Sequence, residues 1–143
     1  MTMVQRLIEG LGNGTKNMLT QKRIITYLMH NHSSTIPDLA KDIDLSIPTV
    51  TKFVMELVEE GYIMNYGKQE TSEGRPPNLY GLNPDSAYMV GVDIKASCLN
   101  IGLMNFTGDM VDIQMGVECR LSNTLESLEE LTLHIRNFID KHE

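Results

Sequence analysis

Two helix starts of nearly the same form, Thr35-Ile36-Pro37-Asp38 and Ser46-Ile47-Pro48-Thr49, constrain this chain more than any other feature. Each places a hydroxyl at the N-cap, where it can accept from an unpaired backbone N–H. Each also has a Pro in the first turn, where a missing N–H is harmless. Asp38 follows Thr35 by three, close to a capping box. Starts this close leave room for one short helix, carrying Leu39, Ala40 and Ile43, and a tight turn at Asp42-Ile43-Asp44-Leu45. Asp44 suits that turn, because Asp enters the left-handed region more cheaply than most residues. The second helix is expected from Ile47 to about Glu60, with Val50, Val54, Leu57 and Val58 inward and Gly61 as its C′ residue. Upstream, residues 16–31 have helical spacing at Met18, Ile25 and Leu28, helped by Leu19 and Ile24, and His30-Asn31-His32-Ser33-Ser34 is a polar stop. Helix, short helix, tight turn and longer helix make a helix-turn-helix.

Residues 62–82 read as a wing. Tyr62-Ile63-Met64-Asn65-Tyr66 and Asn78-Leu79-Tyr80-Gly81-Leu82 are strand candidates, joined by a polar, Gly/Pro-rich loop over 67–77. Ile63, Leu79 and Leu82 give this hairpin an apolar face to lay on the helices.

Near residue 85 the apolar period changes from helical to alternating. Residues 88–94 set Val90, Val92 and Ile94 on one face; 99–105 set Leu99, Ile101 and Leu103; 110–115 set Val111, Ile113 and Met115. Phe106-Thr107-Gly108-Asp109 is a turn. Residues 124–141 read as a helix with Leu125, Leu128, Leu131, Ile135, Phe138 and Ile139 in one stripe. The helix would cover one face of three antiparallel strands and leave Met89, Gly91, Asp93, Asn100, Gly102 and Met104 open. The expected organisation is a helical extension over 1–14, a winged helix-turn-helix over 15–85 and a partial α+β lobe over 86–143.

Composition excludes several classes. At 41% hydrophobic residues the chain can build cores and is too apolar for disorder. No apolar run approaches the roughly 20 residues of a membrane helix, and MTMVQRLIEG lacks the layout of a secretion signal, so a cytoplasmic protein is expected. Cys98 and Cys119 form neither a disulfide framework nor a metal motif, and His30 and His32 are not at ligand spacing with them; reduced thiols, no metal and no cofactor are expected. The net charge of −7 divides into −2 over residues 1–85 and −5 over 86–143, so the first segment can still present a basic face.

Chemistry that reads DNA concentrates in two places. With Val50, Val54 and Leu57 inward, the outer face of the second helix carries Pro48, Thr49, Thr51 and Lys52, with Met55 and Glu56 beside them and Ser46 at the cap. Hydroxyls and an ammonium can meet phosphates or base edges, a Thr methyl can touch thymine, and a helix N-terminus favours a phosphate. The plainer alternative is a solvated helix face. At the wing tip, Gly74-Arg75-Pro76-Pro77 is a stiff extended element with one flat cation, suited to a narrow A·T-rich minor groove. Its plainer alternative is a turn with a solvated Arg.

Several stretches together resemble a known family. They are Asp44-Leu45-Ser46-Ile47-Pro48-Thr49-Val50-Thr51, Leu57-Val58-Glu59-Glu60-Gly61-Tyr62-Ile63, Gly74-Arg75-Pro76-Pro77, Leu82-Asn83-Pro84, Val90-Gly91-Val92-Asp93-Ile94, and Leu103 to Gly108. In this order they are similar to the N-terminal part of the ROK family of repressors and sugar kinases, in its repressor branch. The resemblance covers residues 22–111, about 90 of 143. It implies a winged-helix DNA reader fused to a ribonuclease-H-like, actin-like sugar-binding domain. In the kinase branch the first strand ends in a phosphate-binding Asp-Xaa-Gly-Gly-Thr turn. Here the sequence is Asp93-Ile94-Lys95-Ala96-Ser97, without either glycine, so amides cannot wrap a phosphate as closely. Asp93, Lys95 and Ser97 mark a degenerate version of that position, and a structural strand end is the plainer reading.

The family's sugar-contacting acids and Cys/His zinc motif lie farther downstream than residue 143, so a piece of a longer sensor is expected. The resulting reading is a non-enzymatic, sequence-specific regulator that represses sugar-utilisation genes. Its expected partner is a double-stranded DNA operator, bound as a homodimer, with a sugar or sugar-phosphate effector only in a longer chain. Val4, Leu7, Ile8 and Leu11, at helical spacing, or the open sheet face could supply the dimer contact. The alternatives are a sugar kinase of the same family and a winged helix used for protein contact.

Overall fold

The computed structural model describes residues 16–70 and 76–142. The chain forms two compact units, Met1–Ala87 and Tyr88–Glu143. The extension over 1–14 lies outside the described residues.

The first unit runs α1 (Lys16–Asn31), β1 (Ser33–Thr35), α2 (Ile36–Asp42), α3 (Ile47–Glu59), β2 (Ile63–Lys68) and β3 (Asn78–Leu82), then a 3-10 turn at Pro84–Ser86. Its core gathers Ile24, Ile25 and Leu28 from α1, Leu39, Ala40 and Ile43 around α2, and Val50, Phe53, Val54 and Leu57 from α3, closed by Ile63 and Leu82. Each large side chain so buried contributes about 1.5–3 kcal/mol. The expected α3 stripe is inward, with Phe53 added and Val58 only half-buried. On α1 the inward residues are Ile24, Ile25 and Leu28, whereas Leu19 is exposed.

The polar stop after α1 is in part a strand. β1 pairs antiparallel with β3, which also pairs with β2, giving the order β1-β3-β2. His32 turns the chain into β1 at φ 62°. Nothing apolar marks Ser33-Ser34-Thr35; partner hydrogen bonds make it a strand and bury Ser34 and Thr35. β2 starts and ends slightly later than expected and shifts register between Asn65 and Gly67, one residue bulging out.

The second unit runs β4 (Tyr88–Ile94), β5 (Cys98–Asn105), β6 (Met110–Glu118) and α4 (Leu125–Asp140), with sheet order β4-β5-β6, antiparallel throughout. This is the expected α+β fold, a winged helix-turn-helix followed by three antiparallel strands and a helix. The core is Leu99, Ile101, Leu103, Cys119 and Phe138, with Val92, Val117, Leu131 and Ile135 against it.

Three expectations for this unit are overturned. β4 does not bury Val90 and Ile94 beside Val92; both are exposed. β6 does not turn Val111, Ile113 and Met115 inward together; all three are exposed. The β5–β6 register shifts twice, so Asp112 faces Leu103 and Gln114 faces Ile101, while Ile113 faces Gly102. Each one-residue bulge in β6 inverts the alternation. Nor does α4 bury one continuous stripe: Phe138, Leu131 and Ile135 pack on the sheet, but Leu125, Leu128 and Ile139 stay exposed. Ser127 takes the buried place near the helix start. Its hydroxyl donates to the Arg120 carbonyl at 3.2 Å and accepts from the Ser122 amide at 3.0 Å.

Candidate nucleic-acid interface

Local chemistry fixes the two helices of the motif. The Asp38 amide donates to the Thr35 hydroxyl oxygen at 3.3 Å, and that hydroxyl donates to the Asp38 carboxylate at 2.7 Å. At the second cap the Thr49 amide donates to Ser46 Oγ at 3.3 Å, and the two hydroxyls lie 2.7 Å apart. Between them Asp44 adopts φ 52°, and the Leu45 amide returns to the Ala40 carbonyl at 2.9 Å. Side chains from α1 hold this turn: Arg23 donates to the Ile43 carbonyl, and Tyr27 donates to the Asp42 carboxylate at 2.7 Å. That bond to Asp42 pushes the Tyr27 phenol above its usual range, because ionising it would sacrifice the donor.

The far end of α3 closes just as locally. Gly61, at φ +81°, donates to Val58, and Tyr62 donates to Leu57, the two bonds of a Schellman cap. Asn83 ties the exit of the wing to this corner. Its amide donates to the Tyr62 carbonyl at 2.9 Å and its side-chain Nδ2 to the Gly61 carbonyl at 2.8 Å. The Leu82-Asn83-Pro84 stretch therefore staples the wing to α3.

On the outer face of α3, Ser46, Pro48 and Lys52 are exposed and Thr49 and Thr51 half-exposed. The structure thus brings these five together around one helix start. The Thr51 hydroxyl donates to the Ile47 carbonyl at 2.8 Å, which leaves its oxygen to act as an acceptor and its methyl free to touch apolar groups. Lys52 Nζ lies 3.9 Å from Glu56 and 5.4 Å above the Phe53 ring, so its charge is partly engaged within the helix. Glu56 also accepts from Gln21 of α1 at 3.4 Å. Ile47 adds a side chain that spacing concealed. It falls three before Val50, in register with the core stripe, yet it is 51% exposed.

The wing hairpin is described to Glu70 and again from Pro76, with the Gln69 amide donating to the Pro77 carbonyl at 2.9 Å. Gly74 and Arg75 lie outside the described residues.

In the second unit, Asp93, Lys95 and Ser97 are all exposed around the β4–β5 hairpin. The Lys95 amide donates to the Cys98 carbonyl at 2.8 Å and closes the turn. Asp93 accepts from Asn100 Nδ2 at 2.9 Å and lies 3.7 Å from Lys95 Nζ. Asp93 and Lys95 therefore engage each other, while the Ser97 carbonyl accepts from the Cys119 amide at 3.4 Å. Cys98 and Cys119 are free thiols, and burial raises the pKa of Cys119. Among the described residues no group of His, Cys, Asp or Glu could hold a metal ion, and no helix is long and apolar enough to cross a membrane.

Comparison with known proteins places this geometry. Residues 19–64 match the family of winged helix-turn-helix DNA-binding domains. The xylose repressor of Caldicellulosiruptor bescii is 28% identical over 102 residues, which is 71% of this chain and 26% of that protein. A putative xylose repressor of another Caldicellulosiruptor strain is 25% identical over 88 residues, covering 62% and 22% of the two chains. The chain thus spans about a quarter of the length of the curated relatives it matches. Among solved structures, a ROK family transcriptional regulator, homologous to the E. coli MLC protein, shares the fold with a TM-score of 0.66 at 19% identity, covering 88% of this chain and 32% of that one. Residues 19–64 thus match a winged helix-turn-helix DNA-binding domain, and the chain shares the fold of part of a ROK family transcriptional regulator and is similar in sequence to part of two xylose repressors.

Proposed function

We propose that this chain supplies the DNA-reading end and the first part of the sensor lobe of a cytoplasmic repressor of sugar-utilisation genes. It binds a double-stranded operator as a homodimer. The observation that carries this reading is the outer face at the start of α3, where Ser46, Ile47, Pro48, Thr49, Thr51 and Lys52 stand clear of the core behind a fixed tight turn. A helix start so presented offers the positive end of its dipole and the hydroxyl oxygens of Ser46, Thr49 and Thr51 to phosphates and base edges. Arg75, between β2 and β3 in the sequence, is proposed to add a minor-groove contact. One winged helix buries only about 600–1,000 Å² on DNA, and two copies on half-sites about one turn apart give the affinity a repressor needs. The names of the relatives support control of sugar use, with a sugar or sugar phosphate sensed by the longer chain.

The reading contains no catalytic step and no cofactor. A sugar kinase would need amides wrapping a phosphate at the β4–β5 turn. There Lys95 and Ala96 carry side chains, and Asp93 is engaged by Asn100 and Lys95.

Selection from a randomised duplex library tests the proposal. Enrichment of a palindrome with half-site centres about 10 base pairs apart, or a multiple of that spacing, is expected. Failure to enrich any sequence over the starting pool would overturn it.

A further inference from the structure

One side chain straps the two strands of the wing together at their base. Tyr66 reaches from β2 across Gly81 of β3, and its hydroxyl donates to the Leu82 carbonyl at 2.6 Å. The ring can cross there because Gly81 has no side chain; a Cβ on it would stand 2.7 Å from Tyr66 Cε2. Tyr66 is also the residue that the strand pairing leaves out. Asn65 faces Tyr80 and Gly67 faces Leu79, with Tyr66 bulged between them. The bulge is fixed within its own strand too: the Gly67 amide donates to Asn65 Oδ1 at 2.8 Å, and Gly67 adopts φ +100°.

This bulge decides where the next cation stands. Alternation counted from the buried Ile63 would put Lys68 on the face of the sheet turned away from the helices. The extra residue reverses that. Lys68 faces Asn78, and Asn78, Tyr80 and Leu82 share one side of β3. Leu82 is buried in the helical core, so Lys68 lies on the side of the sheet that carries α3. It is exposed there, past Ile63, the one buried residue of β2. Among the described residues no carboxylate pairs with it, whereas the Lys52 ammonium lies 3.9 Å from Glu56. We propose that Lys68 contacts the DNA phosphate backbone on the α3 side of the wing, and that Tyr66 is the positioning residue that turns it there. A compact ammonium suits a phosphate, a contact that carries no sequence information but fixes how a reading helix sits. The proposal rests on the DNA-binding reading above and adds a contact outside α3.

A double-mutant cycle on the full 143-residue chain tests it, read by fluorescence anisotropy on a selected and a scrambled duplex across a salt series. Lys68→Ala should weaken binding to both duplexes about threefold or more and lower the salt slope by about one for each bound copy. Lys68→Arg should keep the wild-type slope. Tyr66→Phe removes only the hydroxyl. It should weaken binding to both duplexes in the same way, and adding it to Lys68→Ala should cost nothing further. Circular dichroism and urea unfolding should show every variant folded at the assay temperature. A Lys68→Ala chain with wild-type affinity and slope would overturn the proposal and leave Lys68 as a charge guarding an edge strand. A Tyr66→Phe chain that binds like the wild type, or whose loss adds in full to that of Lys68→Ala, would overturn the positioning role. Either result, with the wild type still preferring the selected duplex, leaves α3 as the reading helix. A wild type that binds neither duplex ends the DNA reading and this contact together.

Discussion

Lys52 Nζ lies 3.9 Å from the Glu56 carboxylate, one turn along α3. In the proposed interface the cation that meets DNA is thus partly neutralised by its own helix, and binding would draw it away. Exposed pairs at this spacing contribute only about 0.3–0.5 kcal/mol, so the restraint is small, but Glu56 also repels phosphates. Glu56→Gln should therefore raise affinity about two- to fivefold on every duplex sequence, with no loss of fold. Fluorescence anisotropy on selected and scrambled duplexes checks this; unchanged affinity on both would place Glu56 away from the DNA.

Ile47 is expected to read a thymine methyl. Ile47→Ala should leave stability nearly unchanged, since the side chain is half in solvent. Replacing single thymines with uracil, which lacks the methyl, should weaken the wild type at one half-site position by about 1 kcal/mol. The same replacement should have no effect on Ile47→Ala. A wild type indifferent to every thymine-to-uracil change would rule the contact out.

Arg75 and Lys52 should fail in different ways. Arg75→Ala should lose affinity mainly on A·T-rich flanks, where the minor groove is narrow and most negative. Lys52→Ala should weaken all sequences and lower the salt slope by about one if it meets a phosphate. If it meets a guanine, the loss should be about 1–3 kcal/mol at one base pair. Equal losses for Arg75→Ala on A·T and G·C flanks would reduce Arg75 to a diffuse charge.

At Gly81 the wing, β1 and Tyr66 converge. A Cβ there would stand 2.7 Å from Tyr66 Cε2 and 2.8 Å from the His32 carbonyl oxygen, and the second of these is backbone and cannot move aside. Gly81→Ala should destabilise the first unit by about 1–3 kcal/mol in urea unfolding. A neutral effect would mean that β1 does not lie on β3.

In the second unit Asp112 accepts from Lys141 at 2.8 Å and lies 2.9 Å from His142 Nε2. The bonds from Lys141 and then His142 lower its carboxyl from 3.8 to about 2. A carboxylate whose pKa falls on folding adds stability above its unfolded pKa and loses it as pH drops through the folded value. The difference in Tm between wild type and Asp112→Asn should hold steady above about pH 4 and shrink toward pH 2. A difference that is the same at pH 2 and pH 7 would contradict the linkage.

How much of the fold is legible in the chain divides by range. The caps at Thr35 and Ser46, the left-handed Asp44 and the Gly61 terminus are local events, and local chemistry announces them. β1 is hidden because Ser33-Ser34-Thr35 has no apolar pattern and exists only through its pairing with β3. The face of β6 is misleading because two bulges invert an alternation that looks regular in one dimension. Leu125 and Leu128 read as part of one stripe with Leu131, Ile135 and Phe138 yet stay outside the core, because apolar spacing cannot say which partner a face will meet. Of the site, Ser46, Pro48, Thr49, Thr51 and Lys52 follow from the helix register, while Ile47 is concealed by sharing the phase of Val50.

The central claim, that the outer start of α3 reads DNA sequence, is tested most directly by one comparison. Wild type and Thr49→Ala/Lys52→Ala should be titrated with a selected duplex and its scrambled counterpart across a salt series. The wild type should prefer the selected duplex by about a thousandfold or more, with log K falling linearly in log salt. The double variant should keep its fold and lose most of that preference. A double variant that discriminates as well as the wild type, or wild-type binding indifferent to salt and sequence, would contradict the assignment of α3 as the reading helix.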